Sequence, residues 1–180
     1  MLFRSNQVAA GLRTRDQAKT FIYAFLYGAG AAKIGKIVGG SAQTGRKLIE
    51  KFLHNMPQLK KLRSDIQEAV QKEGTIKGLD GRRLQIRSEH SAVNALIQGA
   101  GAVVCKQWLV EMDKGIRRSG LDARLVVSVH DEYQFEVVKP DVECFTRITK
   151  EAIHATQGVL NFKCDLDSSY KVGNNWSETH

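Results

Sequence analysis

Apolar residues recur at helical spacing over roughly residues 8–72, and specific punctuation divides the run. Thr14 followed three residues later by Gln17 is a capping-box pair, which predicts a helix starting there and continuing through "RDQAKTFIYAFL". A glycine-punctuated turn, "YGAGAAKIGKIVGGSAQTG", comes next; "RKLIEKFLHNMPQLKKLRSDIQEAVQK" then resumes the helical text, with Pro57 as a break. After it the period changes. "TIKGL" and "RRLQIR" flank an Asp-Gly pair, the mark of a hairpin. A second long helix is predicted over roughly residues 89–119. "ARLVVSVHDEYQFEVVKP" then gives two apolar strands around a polar tip, and "DVECFTRITKEAIHATQG" a last amphipathic helix. Helices, a ribbon, a helix, a hairpin and a helix, with no internal repeat or low-complexity linker, predict an α+β fold.

Composition narrows the class without choosing a function. A chain of 180 residues, 42% hydrophobic and 26% charged, is long enough for one good core or two small lobes. Lys and Arg number 27 against 19 Asp and Glu, a net +8 that suits a polyanionic partner. The three cysteines, Cys105, Cys144 and Cys164, are odd in number and unclustered, so neither a disulfide framework nor a zinc site is indicated. No apolar run reaches the roughly 18 residues that span a membrane, and "MLFRSNQ" lacks the apolar core of a signal peptide. The expectation is a cytoplasmic protein with no membrane partner.

The first predicted helix carries the sharpest chemistry. At 100° per residue Arg15, Lys19 and Tyr23 fall within about 80° of one another, and Tyr27 lies about 40° further on. Two cations at i and i+4 repel, and at a helix N-terminus they also oppose the macrodipole. A polyphosphate would convert that repulsion into attraction, while the phenol rings below could pack on a sugar or base. A solvated basic turn above core aromatics is the plainer alternative.

Two further features stand out. "VVSVHDEYQFEVV" sets Asp131 and Glu132 side by side at a hairpin tip, where adjacent carboxylates make sense if a divalent metal neutralises them. Mg²⁺ suits such a pair, since water and phosphate oxygens complete its octahedron; an ordinary acidic turn is the alternative. On the second long helix His90, Asn94 and Gln98 recur at i+4 spacing, a row of donors and acceptors able to read the minor-groove edge of a base pair. Such a row can equally be a solvated polar face. "GSAQTGRK", residues 40–47, only approaches a phosphate-cradling P-loop: Arg46 stands where Lys is needed, Lys47 where Ser or Thr is needed, and no strand precedes it.

Arg-x3-Lys-x3-Tyr-x3-Tyr-Gly at 15–28, the helix with His90, Asn94 and Gln98, "VHDE" at 129–132 and the ending "GNNWSETH" occur in this order. Together they resemble the C-terminal part of family A, DNA polymerase I-like, DNA polymerases. "RDQAKTFIYAFLYGAGAAKIG" and "IKGLDGRR" look especially like the replicative branch of the short-tailed phages. The resemblance covers nearly the whole chain and rests on motifs B and C. It implies a right-hand polymerase, with fingers carrying the motif B helix over 1–85 and a palm portion carrying the motif C hairpin over 86–180.

Roles follow from the resemblance alone. Arg15 and Lys19 would hold the triphosphate of an incoming dNTP, and Lys19 would also protonate the departing pyrophosphate. Tyr23 would face the sugar, and Tyr27 the nascent pair beside the template. His90, Asn94 and Gln98 would touch the primer-template DNA, with His130 near the primer end. Asp131 would be a catalytic Mg²⁺ ligand and Glu132 its neighbour in that two-metal site. Tyr23 and the "VHDE" form favour the DNA enzyme over the related single-subunit RNA polymerases.

Two departures qualify these roles. Motif A, an Asp-x-Ser-x-x-Glu-Leu-Arg-like stretch with the other metal-ligating Asp, is absent from the 180 residues. Phe3 stands where the family usually has a phosphate-gripping His. The expectation is a C-terminal fragment, inactive without an upstream polymerase part that carries motif A. A split gene, a truncated reading frame or a non-catalytic DNA-binding remnant would each give such a chain; if phage-encoded, it works in the bacterial host cytoplasm.

Overall fold

The structure, a computed structural model, describes residues 7, 8 and 10–179, except the side chains of Glu89 and His90. Phe3 therefore lies outside the described residues. The chain forms two compact units, Met1–Gln98 and Gly99–His180.

In the first unit, helix α1 (Arg15–Leu26) begins as its cap predicts, the Thr14 hydroxyl accepting from the Gln17 N–H at 3.2 Å. Helix α2 (Ala31–Ile37) occupies the segment that the sequence reads as a glycine-rich turn. Helix α3 (Ala42–Asn55) carries a full reciprocal cap: the Thr44 N–H donates to Ser41 Oγ at 3.4 Å and the Ser41 N–H to Thr44 Oγ1 at 3.3 Å. Pro57 opens helix α4 (Pro57–Glu73), where its missing N–H would have had no helical partner in any case.

Phe52 fastens these helices together. Its ring meets Phe21 edge-on at 5.1 Å and Phe25 at 5.4 Å, with Ala10 and Ile34 completing a buried cluster. Helices α2 and α3 approach through glycine. A Cβ on Gly45 would collide with the Ala31 carbonyl, and one on Gly35 with the Ser41 carbonyl. The residues that mimic a P-loop are thus a helix cap and a helix contact.

Strands β1 (Thr75–Lys77) and β2 (Arg83–Gln85) form the expected antiparallel ribbon, Ile76 opposite Leu84. Ile66, Ile76 and Ala92 share one small core, flanked by Leu84, Val93 and Leu96. That core draws the first turns of helix α5 (Glu89–Ser119) into this unit, so the compact boundary falls later than a division by role at 85/86.

The second unit holds the rest of α5 and the antiparallel pair β3 (Ala123–Val129) and β4 (Glu132–Val137). The register slips between Leu125 and Val127, leaving Val126 as a bulge that is 62% exposed. A 3-10 turn, Lys139–Asp141, leads into helix α6 (Val142–Val159), and the terminal helix α7 spans Trp176–Thr179. Met112, Ile148, Ala152 and Ile153 are buried, and the Trp108 indole donates to the Thr149 carbonyl at 3.0 Å. Against these helices the hairpin lays Tyr133 on Trp108, ring centroids 5.5 Å apart, and Phe135 on Phe145 at 4.9 Å. The described residues form helices with two small two-stranded sheets, the mixed class that the sequence predicts.

Candidate active-site elements

Helix α1 is amphipathic in the way its stripe requires. Ala18, Phe21 and Phe25 face the core, which turns Arg15, Lys19, Tyr23 and Tyr27 outward. The two phenol rings stack at 6.4 Å with an interplanar angle of 21°. They border an open depression of about 880 Å³ whose lining includes Asp16, Lys19, Tyr23, Tyr27, Gly28 and Lys33. Lys33 escaped the sequence reading because its segment reads as a turn; as part of α2 it faces the same hollow as Lys19.

The polar row of α5 reaches this stripe. Gln98 is exposed and its amide donates to the Tyr27 hydroxyl at 3.3 Å, while Asn94, one turn earlier, is half-buried. His90 lies in the first turn of α5, its side chain outside those described.

In the second unit the register pairs Val129 with Glu132, so His130 and Asp131 alone make the hairpin turn. His130 takes a left-handed φ of 53°, as a two-residue turn demands at its first position. Asp131 is exposed at the tip, and Glu132 is half-buried as the first residue of β4. The Gln134 amide donates to Glu132 Oε1, and the Thr179 hydroxyl meets Gln134 Oε1 at 3.0 Å. Beneath the tip is Cys105 on α5, its thiol pushed up by burial and further by the charge of Asp131. Burial also raises the Tyr133 phenol, with a smaller contribution from Cys105 and an opposing hydrogen bond with Ser128.

Among the described residues no group of three or more His, Cys, Asp and Glu forms a metal cage. Asp131 and Glu132 do provide hard oxygen donors from adjacent positions, the first of them exposed. That donor set fits an open Mg²⁺ site whose remaining ligands are water and phosphate oxygens.

The family model described as DNA polymerase family A matches residues 2–178. The DNA-directed DNA polymerase of Enterobacteria phage T3 is 40% identical over 200 residues, covering 97% of this chain and 28% of the relative. That of Escherichia phage T7 is 40% identical over 196 residues, with coverage of 97% and 28%. The chain thus spans less than a third of the length of these curated relatives. Among solved structures, the POL domain of Pol1 from M. smegmatis, in complex with DNA primer-template and dNTP, aligns with a TM-score of 0.73. It covers 79% of this chain and 27% of that one, and at 24% identity the likeness is one of fold. With motifs B and C on a capped helix and a hairpin turn, and with the family match running from residue 2 to 178, this chain belongs to DNA polymerase family A, on the side of the short-tailed phages.

Proposed function

We propose that the chain is the C-terminal, fingers-and-palm part of a template-directed DNA polymerase and that it works only with an upstream part carrying motif A. The observation that carries this reading is the stripe beginning on α1: two cations and two stacked phenols, all exposed, with Lys19 and both rings lining one hollow and Gln98 fastened to the last ring.

Arg15 and Lys19 bind the triphosphate of a dNTP, and Lys33 adds a cation on the other side of the hollow. Tyr23 packs on the sugar and Tyr27 on the nascent base pair, while His90, Asn94 and Gln98 follow the minor groove of the primer-template DNA. His130 stands near the primer end. The primer 3′-hydroxyl gives up its proton to water as its oxygen bonds the α-phosphorus and the bond to pyrophosphate breaks, and Lys19 delivers a proton to the departing oxygen. Asp131 and Glu132 would hold Mg²⁺, which when bound supplies a lowered pKa for the 3′-hydroxyl and charge neutralisation on the leaving phosphates.

The need for an upstream part is supported by the second unit. Strand β3 pairs only with β4 among the described strands, and Leu125 and Val126 are 43% and 62% exposed. An apolar strand left open in this way suits a neighbouring strand that brings the missing carboxylate.

The test is reconstitution. The 180-residue chain alone should extend no primer at any Mg²⁺ concentration. Adding a separately expressed upstream part ending after motif A should restore synthesis, and Asp131→Asn should abolish it again. Extension by the isolated chain, with host polymerase excluded by that same variant, would overturn the reading. Salt-sensitive DNA binding with no restoration by any upstream part would favour a non-catalytic remnant.

A further inference from the structure

The terminal motif "GNNWSETH" takes no part in the proposed chemistry, yet it is folded with care. One Glu178 oxygen accepts from the Asn174 N–H at 2.8 Å, and the other from the Asn175 side-chain amide at 2.7 Å. Gly173 leaves room for that carboxylate, since a Cβ there would stand 2.7 Å from Glu178 Cβ. The segment leading to this knot is tied to α6 at two places. Gln157 Oε1 accepts from the Leu166 N–H at 3.0 Å, and Lys150 holds Asp167 at 2.6 Å and the Ser168 carbonyl.

These ties deliver Thr179 to the side chain of Gln134, 45 residues away in sequence. The Thr179 hydroxyl has one proton and two acceptors in reach, Gln134 Oε1 at 3.0 Å and the Trp176 carbonyl at 3.1 Å. A carboxamide has a donating end and an accepting end, so a donor held against the Gln134 oxygen turns the NH₂ group toward Glu132. Without that donor the amide can flip and present its oxygen to the carboxylate, which would push Glu132 away.

We propose that Gln134 and Thr179 are positioning residues for Glu132: the terminal knot sets the orientation of the Gln134 amide, the amide sets the carboxylate, and the carboxylate sets the affinity of the hairpin tip for a divalent cation. The inference rests on the reading of Asp131 and Glu132 as a metal-holding pair.

The experiment uses the isotopically labelled 180-residue chain and Mn²⁺ as the probe. Paramagnetic broadening of the 130–132 backbone amides gives a binding midpoint, and the Gln134 side-chain amide resonances report the relay itself. Thr179→Val should raise the midpoint about two- to tenfold, the range expected for one lost hydrogen bond, and should move the Gln134 resonances. Thr179→Ser, which keeps the hydroxyl, should do neither. Gln134→Leu should raise the midpoint as much as Thr179→Val, and combining the two should add nothing further. If Thr179→Val unfolds the unit, Thr179→Ala takes its place. A shift in only one of the two readouts, or in neither, overturns the relay. If the wild-type tip is not broadened at all, the metal reading fails, and the relay is then judged on Gln134 alone: resonances that move in Thr179→Val but not in Thr179→Ser support it, and unmoved resonances overturn it.

Discussion

The Gln98 amide donates to the Tyr27 hydroxyl at 3.3 Å, joining a residue of α5 to the C-cap of α1, 71 positions away. Tyr27 is 55% exposed, so the bond steadies the far end of a ring whose face stays open. A side chain from the row proposed to follow duplex edges thereby holds a side chain proposed to touch the new base pair.

Gln98→Ala should therefore slow extension from matched primer ends by about two- to tenfold, with little dependence on sequence. Tyr27→Phe should reproduce part of the loss. Single-turnover extension by the reconstituted polymerase measures both. A strong base-pair preference in the wild type that disappears in Gln98→Ala would point instead to a sequence-specific binder.

Lys19→Ala should remove most of the rate while leaving primer-template binding intact. One contact from an ammonium to a phosphate is worth roughly 1.5–3 kcal/mol, or about ten- to a hundredfold, and loss of a proton donor adds to it. Lys33→Ala should act mainly on KM for nucleotide. Wild-type nucleotide kinetics in Lys19→Ala would remove the stripe from the mechanism.

Phe52→Ala should destabilise the first unit by about 3–5 kcal/mol, because it takes away the ring that both Phe21 and Phe25 abut. Thermal unfolding followed by circular dichroism checks this. A fall in Tm no larger than that of a surface substitution would mean that the aromatic cluster does not hold these helices.

Cys105 offers a readout of the hairpin tip in the isolated chain. Burial chiefly, and then the Asp131 carboxylate, disfavour its thiolate. Alkylation at mildly alkaline pH should be slower at Cys105 than at the exposed Cys164. Asp131→Asn removes a negative charge, so the thiol should ionise at lower pH and react faster. An unchanged rate would separate the tip from α5.

Glu111 contributes to the acid limb of the second unit. Only 9% exposed, it accepts from Lys114 at 2.8 Å and from Gln107 at 2.7 Å, and Lys114 first of all holds its carboxyl below the usual carboxylate range. A group depressed in the folded state stabilises above its ordinary value of 4.5, and that stability is lost as pH falls through the lower folded value. Urea midpoints should therefore drop between mildly acidic and strongly acidic pH, and Glu111→Gln should flatten that drop. An equal drop in the variant would assign the acid limb elsewhere.

Much of this was legible in local signals. The Thr14 cap, the span of α5 and the hairpin around residues 130 and 131 each depend on residues a few positions apart, where side-chain period and turn geometry speak directly. Helix α2 was not legible, since it is short, Gly35 weakens its local propensity, and only the close contact with the start of α3 repays that glycine. The break at Pro57 was legible too: α3 ends at Asn55, the Met56 backbone leaves the helical region, and Pro57 begins α4. Gln98 with Tyr27 and Gln134 with Thr179 are partners across 71 and 45 positions; no periodicity links them, and only the folded chain does.

The glycine contacts differ in what could repair them. At Gly115 the atom that a new side chain would strike is Ile148 Cγ2, so a small residue at 148 could make room, and the two positions can change together. At Gly45 and Gly35 the obstacles are the main-chain carbonyls of Ala31 and Ser41, which no substitution can trim. A library of paired substitutions should recover larger residues at 115 and none at 35 or 45, where the only remedy is to move the backbone itself.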